Sequence, residues 1–309
     1  MIRLDSRQPM PEALRGAVLA LGNFDGFHLG HQAVVGAALA WARAEGRPCI
    51  VATFDPHPVR LFQPDAEPFR LSTLDQREDL FAAAGADAML VFHFTREMAA
   101  TSAEGWVRDM LARHLGAAGV VTGEDFTFGK GRGGNPRVLG EIGATCNLRA
   151  RAVGAVIESG EPVSSSRIRA ALKSGDCEAA TRLLTRPFAI RHTVQHGDKL
   201  GRTIGFPTAN LALGAYLRPR YGIYAVTGLL PDGRRVAGAA NLGIRPTFDP
   251  PKELLEPFFF DFSGDLYGQE IEVALHHFLR PEAKFASLDA LTAQMERDCA
   301  RARELLAAA

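Results

Sequence analysis

The stretch Gly22-Asn23-Phe24-Asp25-Gly26-Phe27-His28-Leu29-Gly30-His31 follows the apolar run Ala17–Leu21 and leads into His31–Glu45, whose apolar residues recur at helical spacing. A strand that ends in a glycine turn and passes straight into a helix is half of a strand–helix–strand unit, and the rhythm continues down the chain. Apolar runs at Cys49–Phe54, Ala88–Phe92, Val120–Gly123 and Ala152–Ile157 alternate with helical stretches at Leu74–Ala84, Ser102–Leu115 and Val138–Ala144. The expectation is an α/β domain with a five-strand parallel sheet and helices on both faces. The ten residues then lie at the carboxyl end of the first strand, where open parallel sheets bind ligands. Two imidazoles three residues apart at a helix N-terminus, beside two glycines, can meet the oxygens of a phosphate chain together with free backbone N–H groups. Glycine allows that approach to be close. A tight glycine turn with two incidental histidines is the plainer reading, and the HxGH spacing after a strand ending in GNFDG argues against it.

Working outward, a further helix begins at Ser164–Ser166, serine being a preferred N-cap, with a partner at Glu178–Leu184. After Pro187 the rhythm changes to short strands separated by Gly, Pro and Asp turns. Residues 270–275 alternate plainly, and the PDGRR segment, Pro231–Arg235, reads as a hairpin turn. This half reads as a small antiparallel β-barrel. The last segment, Ser287–Leu306, places Leu288, Leu291, Met295 and Cys299 on one face of an amphipathic helix that covers it. The expected domains are residues 1–186 and 187–309.

Composition narrows the function classes. The 309 residues are 47% hydrophobic and 23% charged, with 35 basic and 35 acidic side chains. The balance holds in each half, so neither carries the basic excess of a duplex or polybasic membrane binder. The opening MIRLDSRQPMPEALRG has no apolar core of a leader, and no apolar run approaches a membrane span, so a soluble cytoplasmic protein without nucleic-acid or membrane partners is expected. Cys49, Cys146, Cys177 and Cys299 form no CxxC pair, which indicates neither a zinc site nor a redox motif.

GNFDGFHLGHQ resembles the signature of the HxGH nucleotidyltransferase superfamily, in the form found in prokaryotic bifunctional riboflavin kinase/FAD synthetases. TFDPHP at Thr53–Pro58, GEDFTFGKGRGG at 123–134 and SSSRIR at Ser164–Arg169 match the same family in order. The resemblance implies a Rossmann-like domain that adenylylates FMN with ATP. It implies that His28 and His31 are catalytic contacts to ATP phosphates within a cradle of Gly22, Asn23, Phe24 and Gly30. Ser165, Ser166, Arg167 and Arg169 then bind phosphate. Phe62 and Phe128, with Phe54 and Phe126, either wall an isoalloxazine ring or are simply core, and Asp125, taken with the flavin side, sits where the family places a polar residue near substrate phosphate or metal. Asp25 either orients a histidine or shapes the turn, and His57 is either structural or a ligand contact. Adenylyl transfer needs no protein nucleophile, because the FMN phosphate attacks the α-phosphorus and expels pyrophosphate, so the protein aligns partners and spreads charge.

In the second half, Gly201–Asn210 resembles the GRxxGxPTAN motif of riboflavin kinases, and YGIYAV, ANLGIRPTF, LLEPFFFDFSGDLYG and FLRPEAKF follow in family order. No Walker A loop is present. Thr208 and Asn210 have the same strand parity and offer two neutral oxygens to a hard cation such as Mg²⁺ on ATP phosphates. Gly201, Arg202, Gly205 and Pro207 form the surrounding phosphate loop. Phosphoryl transfer needs a carboxylate to accept the hydroxyl proton, and Glu256 aligns with the family's catalytic glutamate. Arg280 aligns with a position on the flavin side.

The reading is therefore a bifunctional transferase taking riboflavin, FMN and ATP, using Mg²⁺ with ATP and holding no tightly bound prosthetic group, with oligomerisation open. Single-module activity and a non-catalytic flavin or nucleotide sensor are the alternatives. Four departures from the family pattern bear on them: Asn135 where Asp is common, Ser166 where Thr is common, and Pro257-Phe258 where a small residue and His are frequent. Proline lacks a ladder donor, so Glu256 is expected near a strand edge or bulge.

Overall fold

The computed structural model describes residues 1–196, 206–245 and 252–308. They form two compact units, Met1–Glu67 with Leu74–Ser164, and Pro68–Thr73 with Ser165–Ala309.

In the first unit β1 (Ile2–Asp5), β2 (Val18–Leu21), β3 (Cys49–Asp55), β4 (Ala88–His93), β5 (Gly119–Gly123) and β6 (Arg149–Val153) make one parallel sheet in the order β1-β4-β3-β2-β5-β6. Strand parity builds two cores. Leu19, Leu21, Ile50, Ala52, Leu90 and Phe92 face one side and pack with Trp106, Leu111 and Leu139. Val18, Ala20, Val51, Met89 and Val121 face the other and pack with Val34, Val35, Ala38 and Phe81. Burial on both faces is why these strands read as unbroken apolar runs. After β2 the chain crosses to β3 on one side, and β5 flanks β2 on the other. The loop leaving β2 therefore sits at the switch point of the sheet.

Two strands differ from the sequence reading. The sheet has six strands because β1, only four residues with its first two exposed, adds at the edge beside β4. A short edge strand carries no apolar run to announce it; Arg3 pairs with Asp75 at 2.6 Å instead. The last strand is Arg149–Val153 rather than Ala152–Ile157, because its solvent face is arginine: Arg149 and Arg151 lie 5.0 and 4.1 Å over the Trp41 ring. Ile157–Glu158 belongs to a separate two-stranded hairpin with Glu161–Pro162. The expected Ser102–Leu115 helix starts with the Ser102 cap, whose hydroxyl accepts from Gly105 N–H at 3.1 Å, and continues as a π-helix over Trp106–His114.

The second unit begins with the helices Ser165–Ser174 and Cys177–Leu184, the latter capped by Asp176. With β7 and β8 the hairpin strands just named, β9 (Phe188–Thr193), β10 (Leu211–Ala212), β11 (Gly222–Leu229), β12 (Arg235–Arg245), β13 (Lys252–Phe259) and β14 (Glu270–Arg280) form an antiparallel sheet ordered β10-β13-β12-β11-β14-β9. An isolated bridge between Gln195 and Asn210 joins its two edges, so the sheet curls into a nearly closed barrel. The PDGRR turn closes the β11–β12 hairpin, with Leu230 N–H donating to Arg234 O at 2.9 Å. The C-terminal helix, Leu288–Ala307, caps on Ser287 and packs Cys299, Ala302 and Leu306 against Ala225, Ala239 and Phe260. Leu288 departs from the expected apolar face: it opens the helix and is 58% exposed.

Candidate active sites

The loop between β2 and α1 (Leu29–Ala44) is shaped by three residues with positive φ: Phe24 (49°), Gly26 (85°) and Phe27 (44°). For phenylalanine this backbone region is costly and persists only where packing over-determines it. Here the packing is explicit. Phe24 meets Phe81 edge-on at 5.8 Å, Phe27 meets it at 5.1 Å, and both phenylalanines are buried. The Phe24 ring belongs to the core, which leaves its backbone as the part that can face a phosphate.

His28 is the N-cap of α1, its Nδ1 accepting from the His31 N–H at 3.4 Å. The two imidazoles stack with ring centroids 3.6 Å apart and planes 18° from parallel, and Phe24 closes on His31 edge-on at 5.3 Å. The sequence spacing thus becomes a paired imidazole face at the positive end of a 16-residue helix. Gly30 lies close under the pair: a Cβ there would sit 3.3 Å from the His28 ring and press on the stacked imidazoles. Gly22 donates its N–H to the Ala52 carbonyl at 3.2 Å, and a Cβ there would lie 3.1 Å from the Phe24 ring. The Asn23 carbonyl is clamped by two donors, the Thr53 hydroxyl at 2.8 Å and the Arg77 guanidinium at 3.1 Å; Arg77 also donates to Thr53 Oγ1 at 2.8 Å. Arg77 is 2% exposed and Thr53 fully buried.

Asn23 also lines a cavity of about 670 Å³ whose wall is aromatic: Phe54, Phe62, Phe94, Trp106, Phe126 and Phe128. Phe126 and Phe128 stack at 5.9 Å, and Phe62, 67% exposed, stands edge-on to Phe94 at 6.1 Å. Phe62 and Phe128 therefore line one cavity, with Phe54 and Phe126. Asp125 is exposed and does not line the cavity. Trp106 was not singled out from sequence. It is 5% exposed, and its indole N–H has no hydrogen-bonding partner among the described residues. Its position at the first residue of the π-helix is a tertiary fact. Asn135 caps the helix Pro136–Ala144, its Oδ1 accepting from Val138 N–H at 3.0 Å. Asn and Asp are equivalent in that role, so this departure removes no functional group.

Ser165, Ser166, Arg167 and Arg169 occupy the first turns of a helix in the second unit. Arg169 donates to the Phe69 carbonyl at 2.9 Å and lies 5.4 Å over its ring.

In the barrel, strand alternation divides β13 between two cavities. Glu256 and Phe258 line one of about 430 Å³; Pro257 and Phe259 line another of about 280 Å³; Thr208 borders both. Pro207 lines the smaller cavity, and Asn210, on the same parity as Thr208, is buried beside it in sequence. Gly201, Arg202 and Gly205 lie outside the described residues. The larger cavity is walled by Phe206, Ile223, Ala239 and Ala240 with Leu291, Met295 and Cys299 of the C-terminal helix. Burial, with Asp298 adding to it, pushes the Cys299 thiol up to about 11, so it is a neutral wall. Arg280 lines this cavity and forms a two-pronged ion pair with Asp298, at 3.0 and 2.7 Å, bracing β14 to the C-terminal helix.

The β12–β13 register is unbroken through Glu256 and Pro257, so no bulge accompanies the proline. Its carbonyl accepts from Ala209 N–H at 3.0 Å on the side opposite β12, where β10 pairs only with Leu254 and Leu255. The missing donor thus falls on the thinly paired side. Glu256 is paired with Arg245, which also reaches Glu282 at 3.4 Å. Asn241, directly across from Glu256, donates to the same Glu282 at 3.2 Å. Arg77, Arg245 and Asn241 were also missed, since each acts through a partner far off in sequence.

Two family models match the chain, FAD synthetase over residues 10–167 and riboflavin kinase over residues 184–306. The bifunctional riboflavin kinase/FMN adenylyltransferase of Escherichia coli (strain K12) is 40% identical over 289 residues, covering 94% of this chain and 92% of that protein. The enzyme of the same name from Bacillus subtilis (strain 168) is 38% identical over 292 residues, covering 91% and 90%. A crystal structure described as a macrolide-efflux protein from Streptococcus pneumoniae superposes with a TM-score of 0.86 at 29% identity, covering 96% of this chain and 97% of that one. Among the described residues no helix is long and apolar enough to cross a membrane. With the two models matched in order along the chain and the relatives aligned nearly end to end, the chain belongs to the bifunctional riboflavin kinase/FMN adenylyltransferase family.

Proposed function

We propose that residues 1–186 adenylylate FMN with ATP to give FAD and pyrophosphate, and that residues 187–309 phosphorylate riboflavin with ATP to give FMN. The observation that carries the kinase assignment is the split of β13: a carboxylate opens onto an apolar cavity sized for a flavin, and Thr208 borders that cavity and its neighbour. Riboflavin in the larger cavity presents its terminal ribityl hydroxyl to Glu256, which accepts the proton as the phosphoryl group arrives. ATP phosphates lie on the Pro207–Thr208 side. Phe258, in place of the more frequent His, is wall: its ring meets Phe206 at 5.1 Å. Thr208 and Asn210 supply a hydroxyl and an amide oxygen, which suit Mg²⁺ carried by ATP. Among the described residues no group of three His, Cys, Asp or Glu side chains could hold an ion. The ion, when bound, neutralises phosphate charge.

In the sheet domain the stacked His28 and His31 and the N-terminus of α1 hold ATP phosphates, and the aromatic cavity beside Asn23 takes the isoalloxazine ring. Ser165, Ser166, Arg167 and Arg169 remain phosphate-binding residues on the strength of the family pattern. The protein acts in the cytoplasm, where its nucleotide substrates are.

The test is a time course from riboflavin, ATP and Mg²⁺, with a parallel reaction from FMN. FMN then FAD are expected from the first, FAD from the second. Glu256→Gln lowers FMN formation by roughly 10² to 10⁴ while FAD formation from supplied FMN persists, and His28→Ala does the reverse. Equal loss of both activities in either variant overturns the division of labour, and binding without turnover in the wild type restores the sensor.

A further inference from the structure

Asn241, which lines the cavity that contains Glu256, carries a buried acceptor that no described residue uses. The Asn241 amide oxygen is shielded from solvent and, among the described residues, accepts no hydrogen bond. Its orientation is not arbitrary. The amide N–H donates to Glu282 Oε1 at 3.2 Å, and exchanging the amide's N and O would set two acceptors against each other. Glu282 is itself fixed, since it reaches Arg245 and lies over Gly243, where a Cβ would come within 2.2 Å of its Oε1. An acceptor buried without a donor is costly and calls for an explanation.

Asn241 and Glu256 are directly paired across β12 and β13 and line the same cavity, so their side chains share a face. Cross-strand partners of this kind have Cβ atoms about 4.5–5.5 Å apart. A donor bound at Asn241 therefore sits within one such spacing of the group bound at Glu256. The other acceptors that line the cavity are already engaged, Glu282 by Asn241 and Arg245 and Asp298 by Arg280, while Ile223, Ala239, Ala240 and Phe258 offer no side-chain polar atom.

We propose that Asn241 is a specificity residue of the kinase that accepts a hydrogen bond from the ribityl 4′-hydroxyl, the neighbour of the hydroxyl that is phosphorylated. The assignment rests on the kinase reading above. The 4′-hydroxyl is the donor carried on the adjacent carbon, whereas the ring N–H of the flavin is separated from the reacting oxygen by the whole ribityl chain. Arg245 and Glu282 act through others: they hold the amide and Glu256 in register.

The experiment is a variant-by-analogue cycle on the full chain, comparing riboflavin with 4′-deoxyriboflavin in wild type and Asn241→Ala. Wild type is expected to prefer riboflavin by roughly 10- to 100-fold in kcat/KM. In Asn241→Ala the riboflavin value falls by about that factor while the analogue's barely moves, so the preference collapses to within about 3-fold. An equal loss on both substrates overturns the assignment and makes Asn241 a prop for Glu282. A wild type that does not distinguish the two also overturns it. Near-UV circular dichroism and the thermal midpoint, compared with wild type, report that the barrel of each variant is folded, and Asn241→Ser, which keeps an oxygen at shorter reach, repeats the cycle if the alanine variant is not. A wild type that makes no FMN from riboflavin overturns the kinase reading itself, an outcome distinct from the other two.

Discussion

Replacing Thr53 by Val asks whether the nucleotide loop is held from beneath. Thr53 is fully buried on β3, and valine keeps its shape and β-branching while deleting one hydroxyl. That hydroxyl donates to the Asn23 carbonyl at 2.8 Å and accepts from Arg77 at 2.8 Å, so the change removes one neutral and one charge-assisted hydrogen bond. Their combined worth is about 2–3 kcal/mol. The Arg77 contact to Asn23, at 3.1 Å, stays. The carbonyl that sets the start of the HxGH loop is then held by one donor rather than two. Shared between stability and loop position, the loss lowers kcat/KM for FAD formation from FMN by roughly 10- to 100-fold, each tenfold being about 1.4 kcal/mol. Riboflavin phosphorylation on the same polypeptide is the internal control and is expected to hold within about 2-fold, because none of Thr53, Asn23 and Arg77 lines either barrel cavity. A lowered thermal midpoint with undiminished FAD formation would refute the reasoning, since the clamp would then stabilise without positioning. So would parallel decline of both activities.

Trp106→Phe keeps the aromatic wall and deletes the unpartnered indole N–H; KM for FMN in adenylylation should rise about 10-fold with kcat little changed, and unaltered kinetics would remove the N–H from flavin binding. Asn135→Asp should leave FAD formation and stability unchanged, whereas Asn135→Ala should cost about 1 kcal/mol in chemical denaturation; a loss of activity in the Asp variant would mean that the residue does more than cap its helix. His276 is held below its ordinary pKa by burial and, second, by His277, while its Nε2 meets the Thr227 hydroxyl at 2.9 Å. Below pH about 6.5 the unfolded chain takes up a proton that folded His276 resists, so stability falls as pH drops through that value. His276→Gln should flatten this limb of a stability-against-pH curve, and an unchanged slope would assign it to other groups.

Much of the architecture could be read from pattern because the physics behind it is local. Strands buried on both faces must be apolar throughout, which is why β2 to β5 were found within a residue or two. HxGH after a strand places two imidazoles on a helix N-terminus through spacing alone. The edges were less legible: β1 and β6 are exposed on one side and carry arginine, so no apolar run marks them. Pro257 points to a strand edge or a bulge; the structure has no bulge, and the missing donor turns toward a side with little pairing.

The sequence by itself determined the fold class and the order of the two modules, and it offered the imidazole pair by spacing and the carboxylate by family resemblance as candidates, because each of these signals lies in residues close together in the chain. Tertiary structure decided what surrounds them. The stacking of His28 on His31, the clamp of Thr53 and Arg77 beneath Asn23, and the burial of Trp106 in an aromatic wall join segments that share no motif. The same holds for Asn241 beside Glu256, which meet only because two strands pair in one register. Hydrogen bonds and packing act over a few ångströms of space, whatever the separation along the chain, so such partners become visible only once the sheet and the barrel have closed.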